Sequence, residues 1–251
     1  MSDHAKITAQ AQFAMGPARL FNSGDYFDLT VKCVDHEWKV HRAVLCPRSK
    51  FFTNACKDGF QEGISHVIEL KEDDPALLNE LLTACYRCDY DDTVSGNNKL
   101  DFNARMYALA DKYDIPFLKE LSKDMFRAQL IQVQLNGVMD IPLFLSAVRT
   151  IYTTTLGSDR SLRDLLVPVL EEHSSTLNQD DRFLDLLRSN LGDGDFAVDV
   201  IATMSQLLKP KPPLVYWCIQ CNQYAANANS GSAVYCSRWN CKEYMGEVKQ
   251  P

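Results

Sequence analysis

No run of apolar residues in this sequence approaches the roughly 18 that a membrane-spanning helix needs, so a transmembrane reading is set aside. The amino-terminal stretch MSDHAKITAQAQFAM has mixed polarity. It lacks the basic start and continuous apolar core of a secretory signal. Cytosol or nucleus is therefore the expected compartment. Positive charge is also short: 26 basic residues stand against 33 acidic ones, a net charge of −7. An acidic body repels phosphate backbones, which disfavours nucleic-acid binding by the chain as a whole. The usual catalytic signatures are missing too: there is no GxSxG, no HExxH and no Walker-type glycine loop. No internal repeat appears. What remains is ordinary: 46% hydrophobic and 24% charged residues in a chain of 251, enough for one good core and a second, smaller unit.

Residues 5–15 carry scattered apolar positions consistent with a short helix, interrupted by Gly16 and Pro17. NSGDY then supplies turn chemistry. Leu29, Val31 and Cys33 alternate with Thr30, Lys32 and Val34, close to the period of a half-buried strand. Asp35 and His36 read as a tight turn into a second strand through Trp38 and Val40. A short helix from His41 ends at Pro47, and Ser49 caps the next one. Phe60 to Gly63 reads as a loop, and His66 to Leu70 as a third strand. Asp73 or Asp74 caps a helix begun by Pro75, with Leu77, Leu78, Leu81, Leu82 and Cys85 at helical spacing. Residues 89–99 form a polar loop, and two further helices carry Met106, Leu109 and Tyr113, then Phe117, Leu118, Leu121 and Phe126. The first 130 residues thus predict an α+β unit, a short three-stranded sheet covered by helices. Beyond Ile141 the pattern is helical only, with a proline inside one helix at Pro168 and a break at GDGD, 192–195. KPKPP at 209–213 is a stiff linker.

The segments GDYFDLTVKC, WKVHRAVLCPRSKFFTNACKDGFQE, VIELKEDDPALLNELLTACYRCDY and RMYALADKYDIPFLKEL resemble, in that order, the BTB/POZ domain, especially the version common in filamentous fungi. The resemblance covers roughly residues 20–130. It implies a BTB/POZ fold there, preceded by an N-terminal segment over 1–19. By analogy it implies a BACK-like helical extension over 131–208, then a linker over 209–216. The resemblance also implies protein–protein binding. Such domains often dimerise through the N-terminal segment and first helix, and typically engage a cullin scaffold, a corepressor or another BTB chain. By this likeness Asp28 and Arg42 form a charged pocket at a dimer interface; otherwise Asp28 simply begins a strand and Arg42 is solvated. Cullin adapters carry a hydrophobic–x–Glu motif, placed here at Leu78-Asn79-Glu80 in the helix after the third strand. Leu78 would protrude into the partner and Glu80 would fix the rim; the alternative is an ordinary amphipathic helix. No kelch or MATH substrate-reading domain accompanies it.

Nine cysteines divide into five between 33 and 88 and four near the end. Cys218, Cys221, Cys236 and Cys241 follow the pattern C-x2-C, fourteen residues, C-x4-C. Two short-spaced pairs joined by a loop deliver four soft donors at tetrahedral corners, the geometry zinc prefers. A segment spanning 217–244, with few large side chains, needs such a staple to fold. Disulfides or free thiols are the competing readings, disfavoured by a reducing compartment and by the liability of exposed thiols. With every ligand a cysteine the zinc is structural, and no enzyme activity is expected. Five basic and two acidic residues from 209 onward, plus the doubly negative zinc–thiolate centre, leave this tail near neutral, unlike a DNA reader. Cys85 and Cys88 are a second C-x2-C, but Cys85 continues the leucine stripe and reads as core. His36, His41 and Cys33 lie near the hairpin without metal-site spacing, and His41 reads as satisfying backbone groups where its helix begins. Three functions follow in order: an interaction scaffold forming homo- or heterodimers, a substrate-recruiting adapter of a cullin–RING ubiquitin ligase, and a DNA-associated transcriptional regulator.

Overall fold

The computed structural model describes residues 16–57, 59–96, 98–136 and 139–207, together with short strands in 214–218, 223–227 and 246–247. Two compact units divide at Met204 and Ser205. In the larger unit, residues 16–23 are helical (α1). Gly16 and Pro17 stand in its first described turn, where the fixed φ of proline is compatible with helical backbone. The helix expected over 5–15 lies outside the described residues.

Strands β1 (Leu29–Cys33) and β2 (His36–Val40) form an antiparallel hairpin, and β3 (Val67–Glu69) joins β1 in parallel, giving the order β2-β1-β3. Leu29, Val31 and Cys33 are buried on one face. The hairpin turn differs from expectation. Cys33 pairs with His36, so the turn is Val34–Asp35, and His36 opens β2 with its ring stacked on Trp38. The sequence signal misleads here because Val34 adopts a left-handed φ of 50°, which a β-branched residue rarely takes.

Helix α2 (Arg42–Leu45) ends before Pro47, and α3 (Lys50–Ala55) is capped by Ser49, whose Oγ accepts the Phe52 N–H and donates to the Tyr113 carbonyl. Residues 61–65, part of which were expected as loop, form the short helix α4 (Gln61–Ser65). Gly63 permits it: a Cβ there would sit 2.2 Å from the Lys57 carbonyl oxygen. Asp74 caps α5 (Pro75–Arg87) by accepting the Ala76 N–H at 2.9 Å. A 3-10 turn at Asp92–Ser95 leads to α6 (Lys99–Lys112) and α7 (Pro116–Asn136). Five more helices follow: α8 (Ile141–Thr154), α9 (Arg163–Glu172, containing Pro168), α10 (Ser174–Leu177), α11 (Asp181–Arg188) and α12 (Asp195–Leu207).

Two apolar cores fill this unit, and α6 serves both. Phe102, Met106, Leu109 and Ala110 pack with the sheet and α5 in the first core. Leu100, Ala104 and Tyr107, on the opposite stripe, pack with α8 to α12 in the second. Each stripe advances by four and three residues, the spacing of one helix face. The segment expected as a separate extension thus shares a wall with the first 130 residues.

A polar clasp reinforces that junction. The Tyr107 hydroxyl donates to Asp159 at 2.8 Å, and the Lys119 ammonium reaches the same carboxylate at 2.9 Å. Burial alone would raise the Asp159 carboxyl. Lys119, the Ser161 N–H and the Tyr107 hydroxyl outweigh it and hold this acid well below the ordinary carboxylate range. A depressed carboxyl contributes stability above its unfolded value, near 3.8, and loses it as pH falls through the lower folded value. Asp159→Asn should therefore lower stability by about 1–2 kcal/mol at neutral pH. It should also shrink the loss on acidification below about pH 4. Urea titrations of both proteins at pH 7 and pH 3 measure this; equal acid sensitivity would reject the clasp.

Candidate functional site

The face carrying α1, the β1 entry and α2 is organised by one buried histidine. The His41 Nε2 lies 2.7 Å from the Asp25 carbonyl, which can only accept, so Nε2 carries the proton. The Nδ1 then accepts from the Tyr86 hydroxyl at 2.8 Å, and that same oxygen accepts the His41 backbone N–H at 2.8 Å. Phe21 of α1 stacks on Tyr86 at 4.8 Å. Burial pushes the Tyr86 phenol well above its ordinary value, so it acts as a fixed hydrogen-bonding pivot. The reading of His41 as a residue that satisfies backbone groups agrees with this arrangement.

This network anchors the loop before β1, and what the loop presents is aromatic. Tyr26 is 89% exposed and Phe27 44% exposed. Tyr26 has a φ of 59°, a conformation that a bulky residue keeps only when its surroundings hold it there. The Lys39 ammonium lies 4.9 Å from the Phe27 ring centroid. Neither aromatic was singled out from the sequence; both lie in the YFDL entry to β1, which strand periodicity alone treats as a boundary.

Asp28 and Arg42 do meet, but through the backbone. An Asp28 Oδ accepts the Arg42 amide N–H at 2.7 Å, at the start of α2, where a carboxylate is favoured. The Arg42 guanidinium turns instead to the Cys56 carbonyl.

Leu78 and Glu80 are placed differently from expectation. Leu78 is fully buried in the first core and does not protrude. It sits on the inward stripe with Leu77, Leu81 and Leu82, which decides its direction. Glu80 is also buried; its carboxylate accepts the Asp91 N–H and an Asn79 amide N–H, both at 2.9 Å. Asn79 in turn accepts from the Trp38 indole at 3.0 Å. This triplet is a structural joint between β2, α5 and the following loop. Among the described residues, the apolar–x–Glu triplet with an exposed first member is Phe60-Gln61-Glu62. Phe60 is 56% exposed and Ile64, one turn on, 74% exposed. The i, i+4 spacing of Phe60 and Ile64 was the available signal, hidden by reading Phe60 to Gly63 as a loop.

Cys85 is buried and Cys88 exposed at the left-handed end of α5. Burial pushes the Cys85 thiol up to about 12, as expected of a core residue. Cys221, Cys236 and Cys241 lie outside the described residues. Of Cys218 the backbone is described: it ends β4 (Leu214–Cys218), so part of the expected linker is strand. Among the described residues no helix is long and apolar enough to cross a membrane, and no group of three metal-binding side chains gathers.

The Arabidopsis thaliana BTB/POZ domain-containing protein At1g01640 is 35% identical over 108 residues, 40% of this chain and 45% of that protein. The chain thus spans less than half the length of this curated relative. Among solved structures, the BTB domain of zebrafish PATZ1 aligns with a TM-score of 0.39 and 13% identity, covering 48% of this chain and 92% of that one. The family model described as BTB/POZ domain matches residues 18–130. That match falls on the region built on the three-stranded sheet and α1 to α7, which is similar to a BTB/POZ domain.

Proposed function

We propose that the chain is a protein-interaction scaffold that self-associates through its BTB/POZ domain. The observation that supports this is the exposed pair Tyr26 and Phe27 on a loop held by His41 and Tyr86. Aromatic side chains fixed in water lose little conformational freedom on binding and gain by meeting a second apolar surface. Asp28 and Arg42 border that pair, so an isologous homodimer would place both residues and their symmetry mates at one interface. Light scattering of the full chain should give the dimer mass. Phe27→Glu should weaken self-association at least about tenfold without unfolding, since the ring is partly exposed. A chain that stays monomeric at high concentration, or a variant that dimerises equally well, would defeat this reading.

A second reading, recruitment of a cullin, is favoured by the exposure of Phe60 and Ile64 beside Glu62. An apolar side chain that is free to enter a partner's pocket, next to a carboxylate, fits the hydrophobic–x–Glu requirement that buried Leu78 cannot meet. Pull-down of a purified cullin amino-terminal domain should succeed with the native chain and fall at least about tenfold with Phe60→Ser. Capture unaffected by that change, or no capture at all, would exclude this docking site.

For the tail, the same four cysteines are proposed to hold one structural zinc. The support is the backbone register of the smaller unit, whose strand order is β5-β4-β6. In the hairpin of β4 and β5 (Gln223–Asn227), Cys218 pairs with Gln223, so the C-x2-C begins where β4 turns into β5. In β6 (Gly246–Glu247), the first residue, Gly246, pairs with Trp217. The chain therefore enters β6 at the end of β4 that carries Cys218, five residues after Cys241. Elemental analysis should return about one zinc per chain. The double variant Cys236→Ser, Cys241→Ser should lose it while the BTB/POZ half stays folded by circular dichroism. Zinc retained in that variant would rule the site out.

A further inference from the structure

Three depressions lie side by side on the larger unit. The middle one, about 670 Å³, opens between the entry to α5, helix α6 and the end of α8. Leu77, Ala108 and Leu109 line it with apolar surface, and Leu156 stands at its border, 73% exposed. A second depression of about 390 Å³ shares Glu72, Asp73 and Lys112 with it. A third of about 560 Å³ shares Asp111 and Leu156. Together they form a continuous groove crossed by elements of both cores.

Charge selects the occupant. The middle depression is lined by four carboxylates, Glu72, Asp73, Asp74 and Asp111, and by two cations, Arg105 and Lys112. Both cations already have anions: Arg105 pairs with Asp74 at 2.6 Å and Lys112 with Asp73 at 2.7 Å. Asp111 shares Lys119 with Asp159. Glu72 is exposed and has no ion pair among the described residues. Four negative against two positive groups leaves an excess of two negative charges, and both lining cations are already committed. An acidic ligand would meet repulsion there, whereas a cation on an apolar segment would meet Glu72 at the rim and leucine below it.

We propose that this groove docks a basic amphipathic segment of a partner protein, with an apolar anchor beside Leu156 and lysine or arginine side chains toward Glu72 and Asp111. Neither Phe27 nor Phe60 lines it, so the inference does not depend on self-association or on the cullin reading.

The test uses the full chain and a labelled model peptide with leucine and lysine at helical spacing, followed by fluorescence anisotropy. Binding is expected on the order of micromolar, weakening as salt is raised. Leu156→Ser and Glu72→Lys should each weaken it about tenfold. Asp185→Lys, at a position 73% exposed and outside the groove, changes net charge as much as Glu72→Lys and should alter affinity by less than about twofold. All three side chains are exposed, so the variants should fold, and circular dichroism verifies it. The proposal is overturned if the native chain does not bind or if Leu156→Ser binds as tightly. It is equally overturned if Asp185→Lys loses as much as Glu72→Lys, or if a peptide with glutamate for lysine binds as well.

Discussion

Helix α6 is the constraint on which the larger unit depends, because it must satisfy two cores with the two faces of one helix. Its apolar residues form two stripes rather than one, so both long faces of the helix are committed to packing. Burying a side chain such as Met106 or Leu109 is worth about 1.5–3 kcal/mol relative to exposure. The same helix supplies several such gains to each side. Neither core can loosen at α6 without exposing a stripe that belongs to the other. Surface features built from both sides, the acidic groove among them, inherit a defined geometry from this shared wall.

Buried tyrosines tie separate elements together through hydrogen bonds to acids. Tyr113, at the end of α6, donates to Asp73 before α5; Tyr107 donates to Asp159 before α9; Tyr152 of α8 donates to Asp199 of α12 at 2.6 Å. In each case the acid belongs to a different element from the phenol. Burial and the adjacent carboxylate push all three phenols upward, so each remains a donor across the ordinary pH range. Hydrogen bonds to charged acceptors contribute about 1.5–3 kcal/mol each when well formed. Arg163 adds a further tie: it is 2% exposed, pairs with Asp195 at 2.7 Å and lies 4.4 Å from the Tyr152 ring centroid. With these phenols and acids engaged with one another, exposed apolar side chains on well-anchored loops and short helices are left for partners.

Much of this was legible in the sequence where one local rule acts alone. The β1 alternation, the Ser49 and Asp74 caps, the stop at Pro47 and the core position of Cys85 each follow from spacing or from a single side-chain preference. Legibility failed where a second constraint competes. Met106, Leu109 and Tyr113 announce one face of α6, but Leu100, Ala104 and Tyr107 announce the other only once a second core exists to receive them. The turn moved to Val34 because register across the hairpin outweighed that residue's reluctance to adopt positive φ. Helix α4 formed over a glycine because Lys57 crowds the position, a contact that sequence spacing cannot express. The hydrophobic–x–Glu pattern recurs along the chain, so spacing could not choose among its copies; they differ in exposure, Leu78 being buried and Phe60 exposed.

The smaller unit, residues 205–251, poses a different physical problem. Its described strands are short, two of five residues and one of two. A sheet of that size buries little apolar surface, while ordering each residue costs about 1–2 kcal/mol of backbone entropy. Hydrophobic burial in a unit this small rarely covers that cost. A cross-link that joins distant parts of the segment changes the balance by removing freedom from the unfolded chain and by adding bond energy to the folded one. The β5-β4-β6 order sets where such a link would act: at the end of the central strand, where the hairpin turns and the last strand arrives. A cross-link at the opposite end would leave β6 pinned to β4 by its two-residue ladder alone.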